Sequence, residues 1–229
     1  MDFANLKTNI ETVKERIEKA CQKCGRKSEE ITLVVVTKTH PVETLQALID
    51  LGIRDIGENR VQEIEQKAPA LKGAFSLHMI GHLQTNKAAK VFPFVDWIQS
   101  IDSVRLAEKI GGVASGATAR RKLKALVEVN TSGEASKSGC SVQDCRALCE
   151  IVAAQQAIEL HGLMTVGPLT GGEPATRRAF ETLHKLGEHC RDLTRGALSM
   201  GMSSDFDWAI EEGATIVRIG SLIVGHRQR

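Results

Sequence analysis

A regular alternation of short apolar runs with amphipathic helical stretches restricts this chain more than any other feature. Apolar runs rich in β-branched residues fall at 31–37, 53–56, 75–80, 95–99, 123–129, 158–164, 197–200 and 215–219. Helical patterns, apolar at intervals of three and four, occupy 61–71, 86–91, 103–111, 142–154, 174–193 and 205–212 between them. Pro41 opens a further helix through Leu45, Leu48 and Ile49 to Gly52, proline being at home in a first helical turn. Strand–helix alternation gives parallel strands joined by helical crossovers. Eight such units in 229 residues suit an α/β fold of the single (β/α)8 TIM-barrel type. The competing open, doubly wound sheet places a glycine-rich loop after its first strand. Here that place holds Thr37-Lys38-Thr39-His40-Pro41, with no glycine. One domain is expected over 1–229, with an extra helix at about 3–24. Its apolar face is Phe3, Leu6, Ile10, Val13, Ile17 and Ala20. The segment 111–120 reads as a short loop.

Composition removes several classes of function. Thirty Lys+Arg against 28 Asp+Glu leave a net charge of +2, too little for a large basic surface that grips nucleic acid. The longest strongly apolar stretch, 31–36, is far too short to cross a membrane. The N-terminus is polar and helical in pattern, without an apolar signal core, so the cytoplasm is the expected location. Cys21 and Cys24 form one CxxC pair with no second pair at zinc spacing, and a structural zinc site needs four ligands. All six cysteines therefore read as free thiols. The chain has six Phe, two Trp and no Tyr, so no chemistry that needs a phenol can run on it.

In a barrel of this kind the site lies where strands end. Lys38 ends the first strand, directly after an apolar run. Partial desolvation there would lower its pKa and free the amine as a nucleophile. The loops after strands seven and eight commonly build a phosphate site. Here they supply Met200-Gly201-Met202-Ser203-Ser204-Asp205 and Gly220-Ser221. A Schiff-base lysine facing a phosphate cup points to an aldehyde with a phosphate tail, which describes pyridoxal 5′-phosphate. Arg218 would lie between the cup and the barrel interior, near the ring. His78 and His82 stand four apart at a strand end and share no metal-binding face. His184 and His189 read as solvated, Met200 and Met202 as packing, and Lys87 and Lys137 as rim charges. No G-x-S-x-G elbow and no G-x-x-x-x-G-K-[ST] loop is present.

The strand-end segments together resemble one family. They are Val36-Thr37-Lys38-Thr39, Gly57-Glu58-Asn59, the run from His78 through Gly81-His82-Leu83-Gln84 to Lys87, Lys137-Ser138-Gly139, Gly162-Leu163-Met164, Leu198-Ser199-Met200-Gly201-Met202-Ser203 and Val217-Arg218-Ile219-Gly220-Ser221. They resemble the pyridoxal phosphate homeostasis proteins, from about residue 5 to Gly225. The resemblance implies a barrel similar to the N-terminal domain of alanine racemase. It implies Lys38 as the lysine of an internal aldimine, Ser203, Gly220 and Ser221 on the phosphate, Arg218 at the pyridine nitrogen and Asn59 near the ring. Two positions depart from the family pattern: Arg60 stands where Tyr or Phe is usual, and Ser221 where Thr is usual. Serine keeps the hydroxyl.

The resemblance implies a cytoplasmic protein that binds and buffers pyridoxal phosphate without established turnover. Cofactor-dependent apoenzymes are candidate recipients, and a monomer is expected. The residues supply an independent reason against racemisation, which needs a proton-transfer group on each face of the α-carbon. The tyrosine that the related racemases use does not exist here. Two alternatives stay open: a pyridoxal phosphate-dependent amino-acid racemase with Lys38 as one base, and a cofactor-free Schiff-base aldolase acting on a phosphorylated sugar.

Overall fold

The computed structural model describes residues 3–114 and 122–225. Eight parallel strands close into a barrel in sequence order: β1 (Thr32–Val36), β2 (Asp55–Glu58), β3 (Ser76–Met79), β4 (Trp97–Ile101), β5 (Leu123–Glu128), β6 (Ile158–Met164), β7 (Ala197–Ser199) and β8 (Ile216–Ile219). Helix α1 (Phe3–Lys23) precedes β1. The crossovers are α2 (Val42–Asp50), α3 (Val61–Lys67), α4 (Ala88–Val91), α5 (Val104–Ala114), α6 (Cys145–Ala153), α7 (Gly172–His189) and α8 (Phe206–Glu211). A last helix, α9 (Ser221–Val224), follows β8. The expected loop at 111–120 begins instead inside α5, and its part from 115 onward lies outside the described residues.

The alternation of side chains along each strand divides the core in two. Val35, Ile56, Met79 and Ile98 point outward into the layer between strands and helices. Val34, Leu126, Met164 and Ile216 point inward and pack together, with Trp97, Val166 and Ala197 against them. Gly162 is a glycine for reasons of space: a Cβ there would lie 1.8 Å from the carbonyl oxygen of Ala197 on β7. Between β7 and β8, Ser199 pairs with Ile216, and backbone hydrogen bonds continue the seam on either side, from Thr215 N–H to Leu198, from Met200 N–H to Ile216 and from Arg218 N–H to Gly201. The closure of β8 on β1 runs over four pairs, Thr32–Ile216 to Val35–Ile219.

Two strands are displaced from their expected positions. β2 covers Asp55–Glu58 rather than 53–56, and β4 covers Trp97–Ile101 rather than 95–99. In both, the later residues are polar yet buried, namely Glu58, Gln99 and Ser100. Each strand therefore continues past the end of its apolar run. α9 and the short 3-10 turn at Ser28–Glu30 carry too few residues for any period to emerge.

Helix α1 buries Leu6, Ile10, Val13, Ile17 and Ala20, the face expected of it from Leu6 onward. Each of the larger side chains contributes roughly 1.5–3 kcal/mol by leaving water. The partners lie at the C-terminal end of the chain. Asn9 Nδ2 donates to the carbonyl of Ile223 on α9 at 3.0 Å. Arg26 donates to the carbonyls of Ile210 and Ala214 at 3.1 and 2.8 Å, and Arg16 pairs with Asp207 on α8.

Candidate functional site

The first barrel turn is built to present Lys38. β1 ends at Val36, and Thr39 adopts a left-handed conformation with φ 68°. His40 N–H donates to the carbonyl of Thr37 at 3.0 Å and closes the turn. A buried carboxylate network holds it from outside. Thr37 Oγ1 donates to Glu58 Oε1 at 2.8 Å, and Lys67 Nζ donates to Glu58 Oε1 and Glu63 Oε2 at 2.8 and 2.6 Å. Glu63 Oε2 also accepts the Thr39 N–H at 2.7 Å. Burial pushes the Glu58 carboxyl above its ordinary range, against the pull of Lys67. The partial desolvation expected of Lys38 is not found. Its side chain is exposed, because the turn lifts it off the end of the strand and into the barrel mouth.

Opposite Lys38, two loops meet. Ser203 Oγ, after β7, accepts the N–H of Gly220, after β8, at 3.3 Å. A Cβ at Gly220 would lie 3.1 Å from the carbonyl oxygen of Val36, so a side chain there would crowd the end of β1. Asp205 Oδ1 accepts the Met202 N–H at 2.6 Å and tightens the loop that carries Ser203. Ser221 opens α9, where the first N–H groups of a helix have no acceptor within it.

Arg218 forms the floor between these loops. Its residue is only 4% exposed. It donates to Ser199 Oγ at 2.6 Å and to the carbonyl of Thr165 at 2.8 Å. Burial pushes its pKa down to about 10, with Glu128 and Asp205 opposing; the guanidinium therefore stays charged near neutrality. Glu128, at the end of β5, is pushed up to about 7 by burial and the charge of Asp102, with Arg218 opposing.

Lys38, Asn59, Ser203, Arg218, Gly220 and Ser221 all line one cavity of about 400 Å³. Val36, Ile80, Val166, Met202 and Ser204 complete its wall, so Met202 faces the cavity rather than serving as packing alone. Asn59 Oδ1 is buried there without a hydrogen-bond partner, a polar atom whose burial is costly until it is satisfied. An amine, a fixed cation, paired hydroxyls and an orphaned acceptor fit a small planar aldehyde with an anionic tail. A second cavity of about 440 Å³ shares Lys38, Asn59, Gly220 and Ser221 and adds His40 and Arg60. Burial and the charge of Lys67 hold the His40 imidazole below its ordinary pKa.

Several expectations change at this level. Lys137 is not a free rim charge: its side chain is 12% exposed, pairs with Glu134 and donates to the carbonyls of Val166 and Gly167. His78 is fully buried inside the barrel. His82 is a half-exposed partner of Asp102 at 3.0 Å, and neither histidine lines the cavity. Among the described residues, the thiols that converge are Cys145, Cys149 and Cys190, within 4.8 Å of one another. They are three, fully buried in the apolar layer of α6 and α7, one short of a structural zinc set. Sequence reading missed Glu58, Glu63, Lys67, Glu128 and His40. For Glu58 the signal was present in its position at a strand end; the others announce nothing locally.

The alanine racemase N-terminal domain family matches residues 1–228. A pyridoxal phosphate homeostasis protein of Vibrio cholerae is 38% identical over 97% of this chain and 97% of its own. A solved structure from Bifidobacterium adolescentis, described as an unknown protein, superposes with a TM-score of 0.90 at 37% identity, covering 97% of both chains. PipY of Synechococcus elongatus, solved with pyridoxal phosphate bound, gives a TM-score of 0.78 at 33% identity over 86% of this chain and 93% of its own. The closed barrel agrees with these likenesses, and the chain belongs to the alanine racemase N-terminal domain family, among its pyridoxal phosphate homeostasis proteins.

Proposed function

We propose that this protein binds pyridoxal 5′-phosphate as a regulatory carrier for intracellular homeostasis of the cofactor, with Lys38 as its point of attachment. The observation that carries the reading is the convergence of Lys38, Asn59, Ser203, Arg218, Gly220 and Ser221 on one cavity. When bound, the cofactor supplies an aldehyde that condenses with an amine and releases water. Lys38 is the amine that lines this cavity. Ser203 and Ser221 offer hydroxyls to the phosphate, and Gly220 lets the backbone come close to it. Arg218 addresses the pyridine nitrogen and Asn59 the ring substituents. The PipY structure with pyridoxal phosphate bound supports the ligand. The described residues act as one cofactor-binding domain in the cytoplasm, handing the cofactor to dependent apoenzymes. No helix among them is long and apolar enough to cross a membrane. The protein acts as a monomer: among the described residues, the exposed large apolar side chains Leu51, Val104, Leu169 and Leu222 occur singly along the chain.

The test is to load the protein with pyridoxal phosphate, fix the adduct with borohydride and map the modified peptide. The adduct is expected on Lys38, and Lys38→Ala is expected to lose the visible absorbance band. An adduct fixed on another lysine overturns the reading.

The role is binding rather than turnover. The titratable side chains on the cavity wall are Lys38 and Arg218, and Arg218 is too basic to exchange protons near neutrality. An always-charged arginine also disfavours protonation of the ring nitrogen, which weakens the cofactor as an electron sink. Each missing proton-transfer group costs about 10²–10⁴ in rate. Incubation of the loaded protein with L-alanine in D2O is expected to give slow α-deuteration and little D-alanine. Turnover on the order of 1 s⁻¹ or faster, lost in His40→Ala, would transfer the assignment to the racemase alternative.

A further inference from the structure

A single line of hydrogen bonds crosses the barrel interior from its lower rim to Arg218. Asp55, on β2, accepts from His78 Nε2 on β3 at 2.9 Å. His78 Nδ1 meets Gln99 Nε2 on β4 at 2.9 Å. Gln99 Oε1 meets Ser199 Oγ on β7 at 2.6 Å, and Ser199 Oγ meets Arg218 on β8 at 2.6 Å. His78, Gln99 and Ser199 are fully buried, while the Asp55 side chain is 26% exposed. The indole of Trp97 stacks on His78 with centroids 5.2 Å apart.

The chemistry gives this line one direction. A guanidinium can only donate, so Ser199 Oγ accepts from Arg218 and its own hydrogen goes to Gln99 Oε1. The amide nitrogen of Gln99 then donates to His78 Nδ1, which must be bare. The imidazole proton therefore sits on Nε2 and goes to Asp55. Burial holds the His78 pKa down against the pull of Asp55, in keeping with a neutral ring. Every bond donates downward, and the line ends on a carboxylate. Such a chain polarises each member and fixes the rotamer at its head.

We infer that Asp55, His78, Gln99 and Ser199 form a polarised strut that sets the guanidinium of Arg218 against the ring nitrogen of the bound cofactor. Gln99 and His78 are thereby positioning residues, acting through Arg218 without touching the ligand. Nothing in the likeness to known proteins assigns them a role. The inference rests on the proposed cofactor reading and deepens it.

The experiment compares two ligands: pyridoxal 5′-phosphate, and its analogue in which C–H replaces the ring nitrogen. Both carry the aldehyde and the phosphate, so only the nitrogen contact differs. The wild-type protein is expected to prefer the natural ligand by about tenfold, the worth of one hydrogen bond to a charged group. Gln99→Met and His78→Phe are expected to erase most of that preference while holding the analogue within twofold of wild-type affinity. Asp55→Asn, an isosteric change at the part-exposed foot of the strut, is expected to lower the preference two- to threefold. Thermal transitions verify that each variant is folded; should the two core variants fail, Asp55→Asn decides alone. Equal weakening of both ligands shows a merely structural role and overturns the inference. So does an undiminished preference in the folded variants, or a wild type that binds both ligands alike. A wild type that binds neither overturns the cofactor reading itself.

Discussion

Glu128 carries a carboxylate oxygen, Oε2, that is buried without a hydrogen-bond partner, and this single group gives the protein a pH-dependent stability. Its pKa rises from 4.5 in the unfolded chain to about 7 in the folded one. Between those values the folded state holds a proton that the unfolded state has released, so stability falls as pH rises through the window. Below about 4.5 the contribution is fully present, and above about 7 it is gone. The loss is on the order of 3 kcal/mol. Glu128→Gln is expected to flatten this part of the profile, so that the variant gains on wild type from pH 4.5 to 7 and then runs parallel. Urea midpoints at half-unit pH steps measure it; parallel profiles throughout would show that Glu128 ionises freely. At this scale the sequence was readable where chemistry and position coincide. Lys38 follows an apolar run and so marks a strand end. His78, Gln99 and Ser199 lie inside strands, where an inward polar side chain looks like an interruption of the pattern. Only the closed barrel reveals them as one line.

Among the elements, α3 matters for what it delivers to the base of the Lys38 turn. Its last residue, Lys67, neutralises Glu58, whose side chain is 1% exposed, and Glu63 at the same time. Lys67→Met leaves Glu58 buried without its counter-charge, and breaking a buried pair from one side costs about 3–5 kcal/mol. The urea midpoint is expected to fall accordingly, and the Thr39 N–H, held less tightly as Glu63 loses its anchor, to exchange faster. Replacing both partners, Lys67→Met with Glu58→Leu, is expected to recover much of the stability, since the fully buried carboxylate is then gone and Glu63 keeps the Thr39 N–H. A double variant as unstable as the single one would assign the loss to packing instead. The helices were legible from their period because each buries one apolar stripe, as α1 does from Leu6 to Ala20. The ends of β2 and β4 were not. Glu58 and Gln99 are held there by hydrogen bonds and an ion pair rather than by apolar area, and hydropathy cannot register that.

For the whole molecule, the β7–β8 seam links the proposed ligand to stability. Those strands pair at Ser199 and Ile216, and the loops that leave them carry Ser203 on one side and Gly220 and Ser221 on the other. A phosphate held by both loops would add a link across this seam. α1 lies against α8 and α9, the helices that follow these loops, through Arg16–Asp207 and Asn9–Ile223, so tightening there reaches the N-terminus. A ligand at 100 times its Kd stabilises the folded state by about 2.7 kcal/mol. For a chain of this length one kcal/mol corresponds to roughly 2–4 °C, so saturating pyridoxal phosphate is expected to raise Tm by about 5–10 °C. Ser203→Ala with Ser221→Ala removes two charge-assisted hydrogen bonds, each worth about 1–3 kcal/mol. At the same ligand concentration most of the rise is expected to vanish, while Tm without ligand falls by only a few degrees, for the lost hydrogen bond from Gly220 N–H to Ser203. Pyridoxal lacking the phosphate is expected to give the same small rise with either protein. Amide exchange locates the effect: protection on binding is expected to gather in β7, β8 and α9 and to extend into α1. Protection spread evenly over all eight strands, or a full rise in the double variant, would place the phosphate away from this seam.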